Sequence, residues 1–179
     1  MKKGAYLILI ASLISFSGSC SFLKKSPDKV LIGTWTFSFH MSPAEAAKKS
    51  GEPIPEGISM EMSMAGSATY HDGKKYNEEA EVTLRLRKGG EEKAIRVYLR
   101  EAGTWEIHDD VLVETTVDFS VTPMDEMTKA ILESAPEFKS IITPVKGEST
   151  SYKLKEVSDS KFILEEKEYG TTVILQRKS

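Results

Sequence analysis

Residues 58–87 read ISMEMSMAGSATYHDGKKYNEEAEVTLRLR, two runs of strict alternation on either side of Asp72-Gly73. In the first run Ile58, Met60, Met62, Met64, Ala68 and Tyr70 share a face opposite Ser59, Glu61, Ser63, Ser67 and Thr69. In the second, Ala80, Val82, Leu84 and Leu86 alternate with Glu79, Glu81, Thr83, Arg85 and Arg87. A period of two marks a strand with one buried face. Asp-Gly between two such runs is a hairpin turn.

The same period extends in both directions. A strand over 30–41 places Trp35, Phe37, Phe39 and Met41 inward, with Thr36, Ser38 and His40 outward. After Gly89-Gly90, residues 93–100 return with Ile95, Val97 and Leu99 opposite Arg96, Tyr98 and Arg100. A short strand around Trp105 and Ile107 turns at Asp109-Asp110. The next sets Val111, Val113, Thr115, Val117, Phe119 and Val121 on one face, and three more follow near 149–157, 161–168 and 171–177. Nine hairpin-linked strands predict an all-β, mainly antiparallel meander, an up-and-down barrel or half-barrel of about eight to ten strands. A sandwich is also compatible with this alternation. Two helices interrupt the series. Ser42-Pro43-Ala44-Glu45 is a capping box with proline at the first helical position, and Gly51 ends the turn or two that follow. A longer helix over about 123–137 begins at Thr122-Pro123-Met124-Asp125, with Met124, Met127, Ile131 and Ala135 as its apolar stripe.

The chain has 179 residues, 24 basic and 27 acidic side chains, and one cysteine. That length suits one domain with a substantial core. The charge balance argues against a nucleic-acid partner. One cysteine excludes an intrachain disulfide, a CxxC pair and a Cys-rich zinc site.

Lys2 and Lys3 precede an apolar run from Ala5 to Phe16, then Ser17, Gly18, Ser19 and Cys20. The run is shorter than the roughly 20 residues needed to span a bilayer and has the layout of an export signal. FSGSC resembles the lipobox of bacterial lipoproteins. That resemblance implies cleavage before Cys20 and acylation of it, with residues 1–19 as signal, 20–29 as lipidated cysteine and polar tether, and 30–179 as the β domain. Two or more acyl chains anchor a protein stably where one does not. Ser21, in place of the aspartate that retains enteric lipoproteins in the inner membrane, implies the periplasmic leaflet of an outer membrane. The mature chain would carry 22 basic and 27 acidic side chains, a net charge of −5.

Gly33-Thr34-Trp35 resembles the G-x-W signature of lipocalins and fatty-acid-binding proteins. The resemblance implies that Trp35 packs at a closed barrel end and that a basic residue late in the last strand, here Arg177, stacks on it. Such a cation–π contact contributes about 0.5–2 kcal/mol. Gly103-Thr104-Trp105 repeats the motif in mid-chain and reads as the same local solution used twice. The helix near 123–137, and the lack of one after the final strand, depart from the lipocalin pattern.

Catalytic signatures are missing. There is no G-x-S-x-G elbow, phosphate-cradling loop or HExxH motif. Glu78-Glu79 and Glu165-Glu166 each split across two strand faces, so neither pair forms a dyad. His40, His71 and His108 fall on polar parities, which predicts no metal site. No enzyme activity and no cofactor are expected. Met60, Met62 and Met64 form an inward stripe of flexible, polarisable side chains. It reads either as a packed core or as the wall of a pocket for an acyl chain or similar hydrophobe, with Tyr70 or Tyr98 near its mouth. The leading expectation is therefore a membrane-anchored protein that binds a small hydrophobic ligand. The alternative is a non-enzymatic protein-interaction lipoprotein with a filled barrel, acting through an outer face that carries Glu79, Glu81, Arg85, Arg87, Arg96 and Arg100.

Overall fold

The computed structural model describes residues 26–42, 45, 58–135, 138, 141–168 and 170–179. Its elements are α1 (Pro27–Leu31), β1 (Gly33–Met41), β2 (Ile58–Tyr70), β3 (Lys75–Lys88), β4 (Glu91–His108), β5 (Val111–Pro123), α2 (Glu126–Ser134), β6 (Ser149–Val157), β7 (Lys161–Glu166) and β8 (Thr172–Arg177). Each strand pairs antiparallel with the next, and β8 returns to β1 to close an eight-stranded up-and-down barrel. The hairpin at the centre of the sequence forms in the expected register, with Met62 opposite Leu84 and Tyr70 opposite Tyr76.

Eight strands replace the nine expected, because 93–100 and the segment around Trp105 are one continuous β4. Gly103 is not a break. It makes room for a neighbour, since a Cβ there would lie 2.2 Å from the Thr115 carbonyl oxygen and 2.5 Å from the Tyr76 ring. The irregularity lies across the ladder, where Ala102 faces Asp118 but Gly103 faces Thr116, leaving Val117 as the extra residue of a bulge. That bulge reverses the parity of the first half of β5. Leu112 and Thr116 are buried and Val117 is exposed, so Val111, Val113, Thr115 and Val117 do not share the inward face of Phe119 and Val121.

Residues 30–31 are helical rather than strand. Proline at the start of α1 favours the helix, and Val30 and Leu31 are buried. The segment expected as tether therefore enters α1 at Pro27, while 20–25 lie outside the described residues. The capping box forms as read: Ser42 N donates to Glu45 Oε2 at 2.7 Å, and Glu45 N donates to Ser42 Oγ at 3.3 Å. The end expected for that helix at Gly51 lies outside the described residues. The second helix starts later than expected. Asp125, not Thr122, is its N-cap and accepts from Thr128 N at 2.7 Å, while Thr122 and Pro123 stay in β5. Its buried face is Thr128 and Leu132, whereas Met124 and Met127 are exposed. The Thr128 hydroxyl accepts from Arg96 N at 3.1 Å and ties that face to β4.

Two apolar clusters fill the ends of the barrel. One gathers α1, Trp35, Tyr70, Tyr76, Trp105 and Phe162; the other gathers Met41, Met60, Leu84, Ile95 and Leu132. At the first end Trp35 Nε1 donates to Leu31 O at 2.6 Å, and its ring meets Phe162 edge-on at 5.0 Å. The Arg177 guanidinium lies 4.3 Å from the Trp35 ring centroid and donates to the carbonyls of Val30, Ile32 and Asp159. Gly33 permits this approach, since a Cβ there would sit 2.6 Å from Arg177 Nη1. The second G-T-W repeats the device. Trp105 Nε1 donates to Lys75 O at 3.1 Å, and Lys74 Nζ lies 3.9 Å over its ring while reaching Asp28 of α1 at 3.5 Å.

Arg177→Ala removes an exposed cation–π contact of about 0.5–1 kcal/mol and the hydrogen bonds that hold α1 under the barrel. The expected loss is about 2 kcal/mol in urea unfolding, with Arg177→Lys intermediate. An unchanged midpoint in Arg177→Ala would show that the closed end does not depend on this side chain.

Candidate ligand-binding cavity

Between the two clusters the barrel is not filled. A cavity of about 580 Å³ remains, with Phe37 and Phe39 of β1, Met62 and Met64 of β2, and Val82 and Leu99 on its wall. Its size falls within the range usual for small-molecule sites. Strands β6 to β8 are short, six to nine residues against 13 to 18 in β2 to β5. The wall is correspondingly low on that side, where residues 141–145 and 148–151, with Lys167, Glu168 and Thr171, border the cavity.

Farther along the same strands, part of the lining is acidic. Glu78 shares the inward parity of Ala80 and Val82, and Glu101 that of Val97 and Leu99. The two glutamates are direct partners across the β3–β4 ladder. Like charges in that position repel, with Cβ atoms about 4.5–5.5 Å apart. Glu114 comes inward through the reversed parity of β5, and Glu166 joins from β7.

Tyrosines and a threonine serve part of this cluster. Tyr70 donates to Glu114 Oε1 at 2.5 Å, Tyr76 donates to Glu101 Oε1, and Thr116 donates to the same oxygen at 2.7 Å. Glu166 Oε1 accepts from Glu168 N at 2.9 Å. Glu78 has no donor among the described residues. Although enclosed by protein, it keeps some accessible surface because it lines the cavity. Lys167 is the only basic side chain among the described lining residues, and it is exposed at the rim.

Burial sets the protonation of the cluster. Desolvation, reinforced by the charges of Glu114 and Glu101, pushes the Glu78 carboxyl well above the usual carboxylate range. Glu114 is raised to about 7, mainly by desolvation, with the Tyr70 hydrogen bond opposing and Glu101 adding to the rise. Desolvation and the neighbouring glutamates also raise the phenols of Tyr70, Tyr76 and Tyr152. Each shift favours the neutral form, as expected where no cation compensates.

The expected site residues are distributed as follows. Met62 and Met64 border the cavity, while Met60 packs in the far cluster. Tyr70 lines the cavity but lies deep, 5.9 Å from Trp105 and 6.1 Å from Tyr76, rather than at a mouth. Tyr98 is not in the cavity. It alternates with inward Val97 and Leu99, so it faces solvent, where its hydroxyl donates to Glu79 Oε2 at 2.9 Å. Trp35, Gly33 and Arg177 lie together at the closed end, and Cys20 is outside the described residues. His40 is 3.0 Å from Glu61, His71 is 3.1 Å from Asn77 Nδ2, and His108 is 2.8 Å from Glu106, all on the outer surface.

No family model matches the chain, and no curated protein matches it. Among solved structures it is similar to a lipocalin-like protein from Bacteroides uniformis ATCC 8492, at 11% identity and a TM-score of 0.41. It is also similar to an uncharacterized protein from Bacteroides eggerthii DSM 20697, at 14% identity and a TM-score of 0.40. Both matches cover 83% of this chain and 99% of the other. The closed eight-stranded architecture follows from this chain's own strand pairing.

The acidic lining gives stability a specific pH dependence. In the fold Glu114 holds its proton up to about 7, against an ordinary value of 4.5. Between those values the folded state binds more protons than the unfolded one, so its contribution to stability falls as pH rises. Glu78 acts in the same direction. Glu114→Gln keeps an acceptor for Tyr70 and is expected to stabilise the barrel at pH 8 by up to about 3 kcal/mol, with little effect at pH 5. Urea unfolding at both pH values tests this; equal destabilisation at both would contradict it.

Proposed function

We propose that this chain is a lipid-anchored protein of the bacterial cell envelope whose barrel binds, without transforming, a small and largely apolar molecule. The observation that carries the reading is the cavity of about 580 Å³ with Phe37, Phe39, Met62, Met64, Val82 and Leu99 on one wall. An interior packed for stability alone leaves few voids larger than a water molecule. The interaction-module alternative called for a filled barrel, and this interior is open. Most of the outer charges it invoked are already paired on the surface, as in Arg100–Glu79 at 3.3 Å and Arg87–Glu92 at 2.7 Å.

The anchor rests on the sequence around Cys20, and its proposed destination on Ser21: the periplasmic leaflet of an outer membrane. Acylation is tested by incorporation of labelled palmitate, which is expected in the wild type and lost in Cys20→Ala. Equal labelling of both would remove the anchor from the account. Binding is tested by native mass spectrometry of the full chain released from lipid nanodiscs. A discrete adduct of ligand size, displaced by added octanol, is expected. A chain that stays at its bare mass and takes up no octanol would contradict the binding function.

A further inference from the structure

We propose that the ligand is an amphipathic organic cation, a protonated amine joined to an apolar body, with its amine seated between Glu78, Glu101 and Glu114. This inference rests on the ligand-binding reading above and names the chemistry of the head group.

Three adjacent strands, β3, β4 and β5, each project a glutamate into one lumen. Glu78 and Glu101 are opposed in the ladder, and no basic side chain lies among them. In a packed protein, buried carboxylates are paired with cations or fully hydrogen-bonded. Here only part of the cluster is served. Tyr76 and Thr116 both donate to one oxygen of Glu101, Tyr70 donates to one oxygen of Glu114, and Glu78 has no donor among the described residues. Two further lining side chains are without a partner: the hydroxyls of Thr143 and of Thr171, the latter residue 6% exposed, make no hydrogen bond among the described residues. The glutamate oxygens are therefore short of donors, the threonine hydroxyls can serve a ligand in either role, and no protein cation balances the cluster.

An ammonium group supplies both. It carries up to three N–H donors, and charge-assisted hydrogen bonds to carboxylates are about twice as strong as neutral ones. Among the described residues, no three His, Cys, Asp or Glu side chains converge closely enough to hold a metal ion. In the same cavity, Phe37, Phe39, Met62 and Met64 offer the surface for a hydrocarbon or aromatic body. The same arrangement disfavours anions above about pH 7, where Glu114 is ionised and a carboxylate or phosphate head would meet like charge. At the pH of the test below, a fatty acid is thus disfavoured by its head, although its chain would fit the apolar lining.

The test compares three ligands with one chain length and different heads: octylammonium, octanol and octanoate. Each is titrated calorimetrically at about pH 8, above the Glu114 value, into the full chain in phosphatidylcholine nanodiscs, with empty nanodiscs as the blank. Octylammonium is expected to bind at least about ten-fold tighter than octanol, with octanoate weakest. In the Glu78→Gln, Glu114→Gln double variant, the preference for the amine should fall below about three-fold while octanol affinity is retained. Octanol binding as well as octylammonium in the wild type, or octanoate binding best, would overturn the inference and leave the apolar reading standing. A preference that survives in the double variant would also overturn it. Failure of all three ligands would remove both readings. Should the double variant not fold, the wild-type comparison of the three heads decides alone.

Discussion

Closure of the sheet by β8 on β1 leaves every strand residue one of two destinations, lumen or solvent. With no free edge, a strand cannot slip by one residue without exchanging its whole inward set for its outward one. The apolar runs of β2, β3 and β4 fix that choice, and polar residues of the same parity must follow them inside. Glu78 and Glu101 are in the lumen because Val82 and Val97 are, not because the interior favours carboxylates. Their burial opposes folding, and the rest of the barrel must offset it.

The closed end supplies much of that stabilisation. Two buried tryptophans, each with its N–H on a backbone carbonyl and a cation over its ring, flank α1 and join it to the barrel. Arg177 reaches α1 from the last strand and Lys74 reaches it from the β2–β3 turn. The last strand and the β2–β3 hairpin therefore meet on one short helix. The other side of the barrel is built differently, with short strands and a low wall, and the cavity opens there. A rigid base beneath an accessible lumen suits a container.

Strand count and parity were largely legible in the sequence, and the departures have physical causes. The hairpin of 58–87 follows from alternation, while the closed-end place of Trp35 and the stacking of Arg177 on it are what the resemblance of Gly33-Thr34-Trp35 to the lipocalin signature implies. The interruption before Trp105 was misread because glycine ordinarily ends a strand, whereas Gly103 admits the Tyr76 ring. Val117 was misread because a bulge leaves no mark in an unbroken run of β-formers; it alone reversed the first half of β5 and hid Glu114. Glu78 and Glu101 needed no structure to be found. Each shares parity with buried valines and leucines, but considering sequence neighbours as pairs obscured the convergence of single glutamates from separate strands. Tyr98 could likewise be placed outside from the parity of Val97 and Leu99. The α2 register depended on which of several cap residues was used, and Asp125 prevailed by bonding Thr128 N.

The central claim is that the lumen holds carboxyl groups without a compensating protein cation. Carbon-detected NMR of the glutamate side-chain carboxyls, followed against pH in the ligand-free protein and assigned through Glu78→Gln and Glu114→Gln, measures this directly. The account predicts that Glu114 titrates near 7 and that Glu78 retains its proton well above the usual glutamate value. Titration of both near 4.5, like exposed glutamates, would contradict it.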